Sequence, residues 1–168
     1  MRPWWACRLS ELPRRQTKAA GFFEGCMKIP PEDKWFSLCV RTRSNWTCDA
    51  CEKQYEPNSQ GLHCSHYFSR AAKSTRWLAG DGAPVENVFA HCFGCHQKLG
   101  GNPHDFHLWM RDRIGSEDYD MLVSIHRTPM KTTKRDRKEI SDHYREQYNG
   151  MSPGSSFTCA PLILDRIL

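Results

Sequence analysis

No stretch of this chain approaches the roughly 18 consecutive apolar residues of a membrane-spanning helix, so no membrane partner is expected. The first 30 residues also lack the apolar core of a secretory signal, because Arg14, Arg15 and Lys18 interrupt them. There is no internal repeat and no low-complexity tract, which sets aside repeat arrays and linker proteins. The nine cysteines are an odd number, whereas a secreted disulfide framework tends to use an even one. No His-x-Glu motif accompanies the C-x-x-C pairs, so a zinc deaminase is excluded. What remains is a chain expected in the cytoplasm.

At 168 residues the chain has the length of about one domain, with room for a modest core that a bound metal would help hold. A formal charge of +5 and a pI of about 8.8 make it mildly basic, which fits a nucleic-acid partner without requiring one. Residues 1 to 32 show no period; proline breaks them repeatedly, and they read as an N-terminal extension. Residues 32 to 43 place Trp35, Phe36, Cys39 and Val40 at helical spacing, with Pro31 at the start and Arg41 and Arg43 at the end. Residues 62 to 69 read as a strand, and Val85 to Phe89 as a second extended piece. A short helix is expected over 93 to 100, ended by Gly100-Gly101. Asn102-Pro103 opens another, which Gly115 stops; Ser116 is expected to cap the next, which Pro129 ends. Residues 133 to 148 form a polar helix with Ile140, Tyr144 and Tyr148 along one seam. The following tail could dock on the body or on a partner.

Cys48, Cys51, Cys92 and Cys95 form two C-x-x-C pairs. Each such turn presents two thiolates, and two turns supply the four soft ligands of a structural Zn²⁺. Four buried free thiols would be the plainer reading, but two correctly spaced pairs favour the metal. A closed four-thiolate site has no open position, so this ion would staple the fold and take no part in chemistry. Between the pairs, His66 falls on the strand and Asn87 on the second extended piece, and His96 directly follows Cys95. Taken singly, each histidine reads as solvent-exposed or as support for the zinc. Together they form a constellation for phosphodiester hydrolysis. His66 would be the general base, His96 would hold a catalytic divalent cation, and Asn87 would fix the loop and orient His66 through its amide.

The order C-x-x-C, strand His, Asn-Val, C-x-x-C-His resembles the HNH (ββα-metal) endonucleases. More narrowly, the run from Trp35 to Gly115 is similar to the phage lambda NinG (Rap) family of recombination endonucleases. The matching pieces are Cys48-Asp49-Ala50-Cys51, Ser65-His66-Tyr67 with Arg70, Asn87-Val88, His91-Cys92-Phe93-Gly94-Cys95, Gly101-Asn102 and Arg113-Ile114-Gly115. They span about half the chain. The resemblance implies an α+β fold: a small zinc-stapled ββα-metal core over residues 33–116, flanked by α-helices. A basic helical segment (117–150) and a tail (151–168) would follow. It also implies His66 as base, Asn87 as the structural middle residue, His96 as ligand of Mg²⁺ or Mn²⁺, and branched DNA as substrate in a phage-infected or prophage-bearing bacterium. Two departures stand out. Ser65 occupies the position before the base, where many HNH enzymes carry a second metal ligand, and His96 stands where family members often have Asn. His63 could assist, although strand alternation puts it on the face opposite His66. Asn102 is a further candidate ligand, or simply a helix cap.

Arg70, Lys73, Arg76 and Lys98 are the expected phosphate contacts near the site. Arg127, Lys131, Lys134, Arg135, Arg137 and Lys138 form a second basic cluster that reads equally well as a solvated helix face. The leading expectation is an endonuclease cutting Holliday junctions or flaps. An HNH enzyme of linear duplex and a non-catalytic zinc-binding DNA module remain open. Cutting both strands of a junction would favour a homodimer.

Overall fold

The computed structural model describes residues 29–167. The expected extension therefore lies outside the described residues up to position 28. Helix α1 (Pro31–Arg43) starts on a proline, carries Glu32 and Asp33 in its first turn and ends on Arg41 and Arg43, in keeping with the helix dipole. Its Phe36, Cys39 and Val40 are buried on one stripe. After the first cysteine pair come β1 (Leu62–His66) and β2 (Val88–Cys92), an antiparallel pair with Leu62 opposite Cys92 and His66 opposite Val88. Helix α2 (Phe93–Gly101) leaves β2 without a loop, completing a β-β-α unit. Four further helices follow: α3 (Pro103–Ile114), α4 (Ser116–Arg127), α5 (Lys134–Gly150) and α6 (Pro161–Ile167). The architecture is α+β. Among the described residues, no helix is long and apolar enough to cross a membrane.

Several element ends differ from expectation. β1 stops at His66, short of residue 69, because the pairing changes character there. The Tyr67 N–H still donates to the Asn87 carbonyl at 3.0 Å, but the Phe68 N–H donates to the Asn87 side chain at 2.8 Å. β2 lies over 88–92 instead of 85–89, so the strand runs directly into the second cysteine pair. Ser116 does not cap α4. The cap position is Gly115, at φ 84°, and the Ser116 hydroxyl instead accepts from Arg111 at 2.6 Å. Asn102 caps α3, accepting from the Asp105 N–H at 3.3 Å. Helix α5 begins with a reciprocal capping box between Thr133 and Asp136 and runs on to Gly150.

One hydrophobic cluster joins α1, both strands, α3, α5 and the tail. The described residues of 33–116, 117–150 and 151–167 therefore share a core. Trp77 sits at its centre, fully buried. The Tyr144 hydroxyl donates to the Trp77 carbonyl at 3.0 Å and accepts from the Ala160 N–H at 3.2 Å, so one buried side chain ties α5 to both the loop and the tail. The tail docks on the body. Phe157, Cys159 and Ile163 are buried, and the Asp81 N–H donates to the Phe157 carbonyl at 2.7 Å. That approach needs a glycine at position 80. Gly80 has φ 95°, and a Cβ there would lie 2.6 Å from the Phe157 carbonyl oxygen. Gly80→Ala is expected to cost roughly 1–3 kcal/mol from backbone strain alone, with displacement of the tail added. Urea melts would show the loss, and limited proteolysis would show early cutting near residue 155.

Candidate functional site

The four sulfurs of Cys48, Cys51, Cys92 and Cys95 lie within 4.8 Å of one another. The Cys51 and Cys92 sulfurs are 3.8 Å apart, about the edge of a tetrahedron built on ~2.3 Å metal–sulfur bonds. Backbone amides already point at the sulfurs. The Cys92 N–H donates to Cys48 Sγ at 3.2 Å, and the Cys95 N–H to Cys92 Sγ at 3.4 Å. The first knuckle is also zipped onto β2. The Asp49 N–H donates to the Ala90 carbonyl and the Ala90 N–H to the Asp49 carboxylate, both at 2.7 Å. Burial pushes the Cys48 and Cys95 thiols up, with the crowded sulfurs adding to the rise at Cys95. Burial also acts against ionisation of Cys92, but the Cys95 N–H and the neighbouring thiols bring it down to about 7. Four thiols so placed can hold a metal ion such as Zn²⁺, and the donor set and spacing fit it.

On the other side of β1 is a cleft of about 280 Å³, lined among others by Asp33, Arg41, His63, His66, Arg70 and His96. His66 Nε2 is 2.9 Å from the Arg76 carbonyl oxygen. A carbonyl only accepts, so Nε2 carries the proton and Nδ1 of the neutral ring keeps its lone pair. Burial, helped by the Arg70 charge, lowers the His66 pKa to about 4, so the ring is neutral at pH 7. His63 and His96 meet with their Nδ1 atoms 3.1 Å apart. His63 Nε2 lies 3.1 Å from the Gln60 carbonyl, which again fixes the proton on Nε2 and leaves Nδ1 as a donor of electrons. His63 Nδ1 therefore accepts from the Nδ1–H of His96, and a cation shared by the two rings would have to displace that proton.

Strict alternation puts His63 opposite His66, yet both line the cleft. β1 is buried at Leu62 and Ser65 and half-buried at His63, Cys64 and His66, so its exposure does not follow a period of two. A two-stranded ribbon twists more than a broad sheet, which turns successive side chains away from a flat two-faced pattern. The same geometry accounts for Ser65. It is fully buried on the core side, so the position before His66 does not face the cleft. Asn102 is occupied as the α3 cap.

Asn87 is fully buried. Its amide donates to the Phe68 carbonyl at 3.0 Å and to the Thr75 carbonyl at 2.9 Å, while its oxygen accepts from the Phe68 N–H. It therefore ties the start of the loop that follows β1 to Thr75 farther along the same loop. It acts on that loop, and the atom in contact with the His66 ring is the Arg76 carbonyl. Arg76 itself is held by Asp33 on α1: Nε donates to Oδ1 at 2.9 Å and a terminal nitrogen to Oδ2. The Asp33 carboxyl is held below the usual range because these contacts outweigh its burial. Of the four expected phosphate contacts, Arg70 lines the cleft, Arg76 is engaged by Asp33, Lys73 lies against Trp77, and Lys98 is exposed on α2 outside the cleft. Arg41, read from sequence only as a helix-end cation, reaches the cleft rim. There it donates to the Ser37, Ser59 and Leu62 carbonyls.

His91, opposite His63 in the ribbon, is fully buried between Phe106 and Trp109, and neither ring nitrogen has a hydrogen-bond partner. Burial lowers its pKa to about 4.

Two outcomes are expected. Cys92→Ser releases the bound metal and unfolds the β-β-α unit, read by metal analysis and circular dichroism; a folded, metal-free variant would remove the staple. His91→Phe stabilises the protein by about 1–3 kcal/mol at pH 7 by removing unpaired polar atoms. The unfolded chain protonates His91 below about pH 6.5 and the folded chain does not, so the gain grows by roughly 2 kcal/mol on going to pH 5. Denaturant melts at the two pH values measure it.

Compared with protein-family models, with curated proteins and with solved structures, the chain matches none.

Proposed function

We propose that this chain is a metal-dependent endonuclease that hydrolyses DNA phosphodiester bonds. In this reading the four cysteines hold a structural Zn²⁺, and His63 with His96 holds the catalytic cation. The observation that carries the reading is the set of proton positions in the cleft. Carbonyls occupy Nε2 of both His63 and His66. His66 is left with a free Nδ1 lone pair, whereas His63 Nδ1 accepts from His96, and a cation would take the place of the proton between those two rings.

His66 Nδ1 is unprotonated at neutral pH and accepts a proton from the attacking water, as a weaker base than a free imidazole. When bound, the cation supplies positive charge to the phosphate and the leaving oxygen. Arg70, half exposed at the rim, provides a phosphate contact that carries no sequence information. Arg41 adds a second cation at the same rim. Asn87 keeps the loop after β1 in place. Imidazole donors suit a first-row transition ion better than Mg²⁺, so Mn²⁺ is the better of the two expected metals.

The resemblance to the NinG family supports branched DNA as substrate, cut in the cytoplasm of a phage-infected or prophage-bearing host, with a homodimer delivering two cuts. Ser65 was the feature that favoured a non-catalytic DNA module. Buried and outside the cleft lining, Ser65 supplies no ligand to a cation there, so the non-catalytic DNA module stays as the alternative.

The test is cleavage of labelled four-way junction, flap and linear duplex with Mn²⁺ or Mg²⁺. Junction or flap cutting is expected, and His66→Ala is expected to lower the rate roughly 10²–10⁴-fold. Cutting of linear duplex alone would move the substrate to the second class, and no cutting with either metal would defeat the enzyme reading. The depressed pKa has a definite sign. The base stays neutral until pH falls through about 4, so the rate between pH 7 and 5 lacks the fall that an ordinary histidine near 6.5 would impose. A pH–rate profile checks this.

A further inference from the structure

Helix α1 lies outside the β-β-α unit, yet its first turn reaches the candidate base through two contacts. Asp33 is 6 % exposed and lines the cleft. Its Oδ1 accepts from Arg76 Nε at 2.9 Å and from Trp77 Nε1 at 3.0 Å. Its Oδ2 accepts from an Arg76 terminal nitrogen and lies 3.9 Å from Arg70. The other Arg76 terminal nitrogen donates to the Arg70 carbonyl at 3.2 Å. One carboxylate thus gathers Arg70, Arg76 and Trp77 from a single loop. The atom that the loop presents to His66 is the Arg76 carbonyl oxygen, 2.9 Å from Nε2. Its neighbours are anchored on both sides, Thr75 by Asn87 and buried Trp77 by Tyr144, and the clamp on the Arg76 side chain is the hold on residue 76 itself.

We propose that Asp33 is a positioning residue for His66: by clamping the Arg76 guanidinium it aims the Arg76 carbonyl at Nε2, which leaves Nδ1 as the lone pair facing the cleft. The role in cleavage rests on the reading of His66 as the base; the role in setting the tautomer does not. Three features support the clamp. The Asp33–Arg76 contact is two-pronged, which fixes direction as well as distance. Among the described residues Asp33 is also the only carboxylate lining the cleft, and its oxygens are engaged by the loop, so it serves the loop and not a cation. Asn87, at the other side of the loop, holds Phe68 and Thr75 but makes no bond to residue 76. Asp33 alone, among the described residues, bonds both the Arg76 side chain and the Trp77 ring on either side of that carbonyl.

The experiment uses the full-length, metal-loaded chain. Long-range proton–nitrogen spectra report which ring nitrogen of His66 carries the proton, and cleavage kinetics are run in parallel. Wild type is expected to show a single Nε2–H form. Asp33→Asn, which places an amide N–H against the guanidinium, is expected to give a mixture with Nδ1–H. Its kcat should fall roughly 10- to 100-fold, as for other lost supporting contacts, with KM unchanged; Asp33→Glu should recover part of both. Should Asp33→Asn fail to fold, Arg76→Lys decides, since it keeps the charge and loses the fork. A folded variant whose His66 stays wholly Nε2–H with wild-type kcat overturns the proposal. If wild type does not cleave DNA at all, the enzyme reading fails, and the tautomer comparison alone judges Asp33.

Discussion

Four sulfurs drawn within 4.8 Å of one another constrain the rest of the molecule. Two belong to a knuckle before β1, one ends β2, and one lies in the first turn of α2. Holding them together sets the angle between strand and helix, and that angle delivers His96 to His63. The paired bonds between Asp49 and Ala90 reinforce the arrangement from the knuckle side. A two-stranded ribbon is marginal by itself in water. Here a metal-binding cluster and helices α1 and α3 supply what more strands would otherwise provide.

The second constraint is polar and internal. Asn87, Asp33 and Tyr144 are buried and satisfied, each linking segments distant in sequence. Buried polar groups of this kind are costly when unpaired and directional when paired, so they select one arrangement of the loop between the strands. His91 lacks a partner, as do the buried hydroxyls of Thr42, Ser65 and Thr75, and the packing of Phe106 and Trp109 around its ring offsets that cost.

Much was legible beforehand. Helices α1, α3 and α5 announced themselves through capping residues and spaced apolar positions, which are local signals. The cysteine pairs were legible because a chelating turn has a fixed spacing. Strand limits were less so: β1 ends where the Asn87 side chain replaces a backbone partner, and no short window of sequence contains both. His63 was set aside by an alternation rule that holds for flat sheets. Arg76 looked like a phosphate contact because its partner, Asp33, lies far back in the chain on another element.

The sequence by itself determined the α+β character, the position of most helices, the four cysteines that could hold a metal, and the candidacy of His66, Asn87 and His96. Each of these depends on residue type and short-range spacing. Tertiary structure alone decided that His63 joins His96, that Ser65 faces the core, that the tail seats on Gly80, and that an aspartate on α1 governs the carbonyl beside His66. Those outcomes depend on ribbon twist and on contacts between distant segments, and local periodicity carries no information about either.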